Sequence, residues 1–273
     1  MVLRKSALPP GWYPQNKEEI RLFLANISPP LSAAGARAAL APHAGWYYSG
    51  AAAALSVSAL DRDADTVIVA GGHLPAGAPA LFAEEDGAAT PLGDIEIDRE
   101  LRTVLWERLG GAPDRYRDNT VEVLLPLVKH FFPTARLVWL RLPAESRSFE
   151  AGKVIAEAAR NRKAVLLGST DLTHYGPNYG FSPHGRGEAA LEWVKTVNDR
   201  AFIGAVLRGS PAETLERAEK DRSACSAGAA LACMGYAQAL GAPGAKLLAY
   251  STSADVEAGR VPDSFVGYAA LSF

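Results

Sequence analysis

The sequence predicts an α/β fold: a single domain with a predominantly parallel or mixed central sheet and helices on both faces. Three observations carry this reading. Short apolar runs of strand length alternate along the chain with longer segments of helical periodicity. No repeat, low-complexity tract or Ser/Gly linker divides the 273 residues, so one domain spanning 1–273 is the economical reading. A hydrophobic content of 48% against 21% charged residues is enough to build a sizeable core and excludes disorder as the main state.

The elements follow in order. Ala38-Ala39-Leu40-Ala41 reads as a short buried strand, and the Ala-rich stretch 51–60 after Gly50 as a close-packing helix. Residues 66–70, Thr-Val-Ile-Val-Ala, form a second strand. Asp98 caps the amphipathic segment 101–109, which Gly110-Gly111 ends, and 121–132 reads as a helix stopped by Pro133. Residues 135–142 are a third strand, 149–160 a helix and 164–168 a fourth strand. The stretch 188–207 reads as one long helix, followed by helices at 211–220 and 225–240. Two strands, 246–251 and 265–271, close the chain and can pair with each other or join the main sheet.

Charge narrows the function classes. With 28 basic and 30 acidic residues the net charge is -2, and no basic stripe marks a nucleic-acid or anionic-membrane surface. Residues 1–10 lack the apolar core of a signal peptide, and no apolar run approaches the ~18 residues that span a bilayer. The expected location is cytoplasmic. Cys225 and Cys233 are too few for a disulfide framework and fall on one predicted helix, so they read as thiols.

In an open α/β sheet the ligand site lies beyond the carboxyl ends of the strands. Here the first strand runs into Pro42-His43-Ala44-Gly45, the second into Gly71-Gly72-His73 and the fourth into Ser169-Thr170-Asp171-Leu172-Thr173-His174. Three of the five histidines therefore fall at strand ends facing one crevice. Each has a plainer reading. His43 reads equally as a turn residue bonded to backbone, and Asp171 as the cap of its own turn. His130 reads as a helix-end or surface residue, His184 as a loop residue and Glu122 as a first-turn partner of a helix dipole. Cys225 falls at or near a helix start, where the thiolate is favoured, while Cys233 lies deeper among apolar residues and reads as core. Two histidines and a thiolate from three loops would make an open three-ligand metal site.

These residues resemble the Memo family, whose bacterial and archaeal members are called AmmeMemoRadiSam system protein B and which is similar in fold to class III extradiol ring-cleaving dioxygenases. The resemblance runs from Gly11-Trp12-Tyr13-Pro14 and the helix 17–24, through Ala41 to Gly50, its most specific stretch, to Thr90-Pro91-Leu92-Gly93-Asp94 and Val121-Glu122-Val123. It continues at Ser169 to Gly176, Ser251 to Val256 and Val266 to Ala270. It implies that His43, His73 and Cys225 are the metal trio, with Asp171 and His174 lining the same pocket. The chain departs from the family pattern at Ala70-Gly71-Gly72-His73, where Gly-Pro-x-His is usual, at Leu74-Pro75, and at Asn119, a position commonly histidine.

The ring-cleaving enzymes suggest roles for the rest. The resemblance assigns His174 as the base that takes a substrate proton, with Asp171 orienting it, and lets Trp46, Tyr47 or Tyr48 wall an aromatic substrate, another small metabolite being the alternative. Iron(II) is the metal implied first, with zinc and copper left open, and radical-SAM and AMMECR-type proteins are the implied partners. Two function classes follow. One is a non-haem iron dioxygenase-like enzyme; the other is a metal-binding or protein-interaction protein with a vestigial site, which the thiolate favours because the dioxygenases use two histidines and a carboxylate. A zinc hydrolase is a third, weaker reading.

Overall fold

In the computed structural model, which describes residues 1–27, 35–256, 259 and 261–273, the chain opens with β1 (Leu3–Arg4) and α1 (Lys17–Ala25), whose Asn16 side chain accepts from the Glu19 N–H. The strand β2 (Ala38–Ala41) follows, then α2 (Trp46–Ala59) and β3 (Thr66–Leu74). Three two-residue strands, β4 (Leu81–Phe82), β5 (Gly87–Ala88) and β6 (Ile95–Glu96), precede α3 (Arg99–Leu109). Asp98 caps α3 by accepting from Leu101, and Gly110 ends it in the left-handed conformation, as the sequence predicts. Then come β7 (Ala112–Pro113), α4 (Asn119–Glu122), α5 (Leu125–Phe131), β8 (Arg136–Pro143), α6 (Arg147–Ala158) and β9 (Ala164–Ser169). The last third holds β10 (His174–Tyr175), α7 (Glu188–Trp193), α8 (Asp199–Leu207), α9 (Pro211–Lys220), α10 (Ala227–Ala239), β11 (Lys246–Thr252) and β12 (Phe265–Ser272).

Strand pairing produces a mixed sheet in the order β10-β12-β2-β9-β3-β8-β4-β7, with β11 also on β12. Its centre is parallel: β2 runs with β9, β9 with β3, and β3 with β8. The closing strands do both things the sequence allowed, since β11 pairs antiparallel with β12 and β12 pairs antiparallel with β2. Alternation across the pleat splits the core into two layers. Ile68, Leu140 and Leu166 face one layer with α6, α8 and α10, while Val67, Val69, Leu137 and Leu167 face the other with α1, α2 and α5.

Three helices differ from the sequence expectation. The helix expected at 51–60 starts earlier, at Trp46, directly after a turn at Gly45. The segment 121–132 divides into α4 and α5 because Pro126 has no N–H for the carbonyl four residues back, so the helix breaks ahead of it. The run 188–207 is interrupted by a π-helical turn, Val194–Asn198. The small sheet β1-β5-β6 was not expected, since two-residue strands carry no periodicity. Among the described residues no helix is long and apolar enough to cross a membrane.

Candidate metal centre

Because β2, β9 and β3 are adjacent and parallel, their carboxyl ends open on the same edge of the sheet. Ala41 is level with Ser169 and Ala70 with Gly168, which brings the His43 and Asp171 loops to the end of β3; that strand runs past the expected 66–70 to Leu74, and His73 lies within it, at an irregularity in its pairing with β8 between Gly71 and Leu74. The fourth contribution comes from the segment entering α10. Cys225 lies two residues before the helix, and its N–H donates to the Asp171 carbonyl at 3.2 Å.

His43 is buried and fixed on every side. Its backbone N–H donates to Asp171 Oδ1 at 2.7 Å, its carbonyl accepts from Asn119 Nδ2 at 2.8 Å, and Nδ1 meets Ser169 Oγ at 2.8 Å. That leaves Nε2 directed at Cys225 Sγ, 3.2 Å away. His73 approaches edge-on, with ring centroids 4.9 Å apart, and its Nδ1 lies 3.0 Å from Asp118 Oδ2. His73 also has a positive φ of 57°, a left-handed conformation that is uncommon outside glycine. The bend is possible because Gly71 and Gly72 precede it: a Cβ on Gly71 would collide with the Thr120 side chain, and one on Gly72 with Ser226.

Electrostatics follow from this packing. Burial pushes the Cys225 thiol upward, but His43 and His73 beside it outweigh burial and hold it well below its usual range. Burial pulls His43 down while Asp171 and Cys225 together raise it, and for His73 the bonds to Asp118 and Cys225 overcome burial and lift the imidazole to about 10. Burial raises Asp171. The ligating forms are the thiolate and the neutral imidazoles, so metal binding here would displace any protons these groups hold. The donor set suits a metal. One ligand atom each from His43, His73 and Cys225 falls within 4.8 Å of the others, as required around an ion ~2.0–2.3 Å from each.

Over this cluster opens a pocket of about 760 Å³, lined by His43, His73, Asp171 and His174 and walled by Trp12, Tyr47, Tyr48, Tyr179 and Tyr268. His174 Nδ1 lies 3.1 Å from the Leu172 carbonyl, and its ring meets Tyr179 edge-on. A carbonyl only accepts, so Nδ1 carries a proton and Nε2 is the ring nitrogen left to face the pocket's contents.

Two sequence expectations need correction. Trp46 does not wall the pocket: it is 3% exposed, packs on Phe23 and Tyr13, and donates from Nε1 to the Val123 carbonyl at 2.9 Å. The reason is the earlier start of α2, which turns position 46 into the core while exposed Tyr47 and Tyr48 reach the pocket. Nor does Asp171 orient His174. Both of its oxygens face His43, and the Leu172 carbonyl holds the His174 ring instead.

Sequence reasoning missed several contributors. Glu122 is no simple dipole partner: it is buried and accepts from Ser6 Oγ, the N–H groups of Ala7 and Leu8, and Tyr13 Oη, tying down the segment whose Pro10, Gly11 and Trp12 wall the pocket. Asp118 had a signal, as an Asx residue two before a Thr at a helix start. Arg141 had another, a lone cation inside an apolar strand, which must find a buried anion. Asp199 gave none.

Comparison with known proteins agrees with this architecture. The family described as Memo-like protein matches residues 4–272. A MEMO1 family protein of Pyrobaculum aerophilum is 30% identical, covering 100% of this chain and 99% of its own length. A MEMO1 family protein of Thermococcus onnurineus is 29% identical over 100% and 99%. A solved structure of an uncharacterized protein from Escherichia coli K12 overlays with a TM-score of 0.52 at 12% identity, covering 88% of this chain and 100% of that one, a likeness of fold.

Proposed function

Since the chain belongs to the Memo family, we propose that it is a metal-dependent, dioxygenase-like protein of the system protein B type that oxidises a small, aromatic metabolite at the His43–His73–Cys225 centre. The observation that carries this reading is the convergence of those three donors under an open pocket that His174 also lines. Iron(II) is the metal the family resemblance favours. When bound it supplies electron transfer between an organic substrate and dioxygen.

The chain's own residues have separate tasks in this reading. His43 and Cys225 are held by the Asp171 segment, and His73 closes the trio from the irregular end of β3. Tyr47 and Tyr48 offer aromatic faces to a planar ring at the pocket mouth. His174 Nε2, the ring nitrogen not engaged by the Leu172 carbonyl, accepts a proton from a substrate hydroxyl. The same reading expects radical-SAM and AMMECR-type proteins as partners.

Cys225 favours a second reading. Non-haem iron oxygenases pair two histidines with a carboxylate, and a thiolate in that place is itself oxidised near iron and dioxygen. A metal-binding protein without oxygenase chemistry would fit the same geometry. Oxygen uptake by anaerobically iron-loaded protein with a panel of catechols separates the two. The enzyme reading expects uptake that His174→Ala lowers by about 10²- to 10⁴-fold with metal content unchanged. No uptake across the panel favours the second reading, and uptake indifferent to His174→Ala removes the base.

A further inference from the structure

We propose that Asp118, braced by Arg141, is the positioning residue for His73 and sets how tightly the centre retains its metal. This rests on His43, His73 and Cys225 being the metal donors.

The two histidines of the trio are held differently. His43 is buried and its Nδ1 faces a neutral hydroxyl, Ser169 Oγ. The His73 side chain is 33% exposed and lies on a left-handed backbone, so it has more freedom to lose and a less favourable conformation to keep. A charged partner compensates for both. Asp118 Oδ2 lies 3.0 Å from His73 Nδ1. A carboxylate oxygen only accepts, so Nδ1 must carry the proton and Nε2, at the far side of the ring, is the nitrogen left to face Cys225.

The carboxylate itself has no room to turn. Its Oδ1 accepts from the Thr120 N–H at 2.9 Å and from Thr120 Oγ1, while Oδ2 also accepts from Arg141 Nη2 at 3.1 Å. Arg141 is 3% exposed and reaches in three directions: Nη1 donates to Asp114 Oδ1 at 3.3 Å, and Nε to the Gly72 carbonyl at 2.9 Å. The Gly72 N–H in turn donates to Thr120 Oγ1 at 3.2 Å. Both backbone groups of the residue before His73 are thus held by the same two side chains that hold Asp118. The ring Arg141–Gly72–His73–Asp118 closes on itself and fixes backbone and imidazole together.

The test uses cobalt(II) alone as the probe, titrated into the full-length protein against a chromophoric chelator, with nitrogen-15 histidine spectra of the zinc-loaded protein reporting the His73 tautomer. Wild type should give a thiolate-to-cobalt absorption that Cys225→Ser abolishes. Failure of that control would remove the metal centre and this proposal with it. Given the control, Asp118→Ala should weaken cobalt binding by about 10- to 100-fold and populate the second His73 tautomer, whereas Asp118→Asn, which keeps an acceptor, should do less of both. Unchanged affinity in Asp118→Ala overturns the proposal. So does weakened affinity with the tautomer unchanged, which would mean a packing role only. Should Asp118→Ala fail to fold, the same readouts on Asp118→Asn decide, and wild-type values for both would overturn it.

Discussion

Cys225 enters the centre from a turn rather than from the body of its helix, and both of its neighbours in the trio are imidazoles. Replacing the sulfur with a harder oxygen removes the soft donor without cutting into either core layer. Cys225→Ser should therefore lower metal content under chelator competition while the melting temperature of metal-free protein changes little; equal metal content in both proteins would count against the centre. Asp171 now has a different expected phenotype from the one its sequence position suggested. It anchors the His43 N–H, so Asp171→Ala should reduce metal retention, measured by dialysis against chelator, rather than act through His174. His43 and His73 were legible because each comes directly after an apolar run, 38–41 and 66–70, whose carboxyl end opens on the crevice. Trp46 was misread because only the start of α2 decides which of three consecutive aromatics faces inward. Asp118 and Arg141 acquire meaning from pairings across 45 and 69 residues, to His73 and the Gly72 carbonyl, which no local pattern encodes.

The segment between β9 and β10 is the element on which the centre hangs. Its Asp171 holds His43 and Cys225, its Leu172 carbonyl holds His174, and Thr173 between them is gripped by α8. Asp199, buried at the start of α8, accepts from the Thr173 N–H at 3.1 Å and from its hydroxyl, and takes a further bond from Tyr250 Oη at 2.7 Å. The preceding π-helical turn coincides with Asn198 and Asp199 both facing inward, an arrangement the predicted regular helix did not contain. Burial lifts Asp199 to about 7 despite those bonds. A carboxyl raised in the folded state binds its proton more tightly there than when unfolded. Its contribution to stability is whole below about pH 4 and lost as pH rises towards 7. Denaturant midpoints measured from pH 4 to 8 should carry this downward component, and Asp199→Asn should flatten it; an identical slope in the variant would rule out Asp199 as its source.

Across the whole molecule, the α/β class and the parallel centre were readable from alternating element types, and the two-layer core from strands apolar on both faces. The antiparallel flanks were readable only as alternatives, because hydropathy does not distinguish β12 joining β2 from β12 closing a hairpin. A metal bound by the native trio but not by the unfolded chain must stabilise the entire fold. At 100 times the dissociation constant the gain is about 2.7 kcal/mol, which for a chain of this size raises the melting temperature by very roughly 5–10 °C. Scanning calorimetry with and without zinc should show that rise, and Cys225→Ser should shrink it. An equal rise in the variant would place the metal elsewhere.

The contact between His43 and Cys225 spans 182 residues of sequence. During synthesis the first histidine leaves the ribosome long before the thiol is made, and β12, which flanks β2 in the finished sheet, is later still. No nascent chain that stops short of residue 225 can offer all three donors. Metal capture by this trio would therefore come late in synthesis or after it, and a chain truncated before Cys225 would emerge with its two imidazoles and no sulfur to meet them.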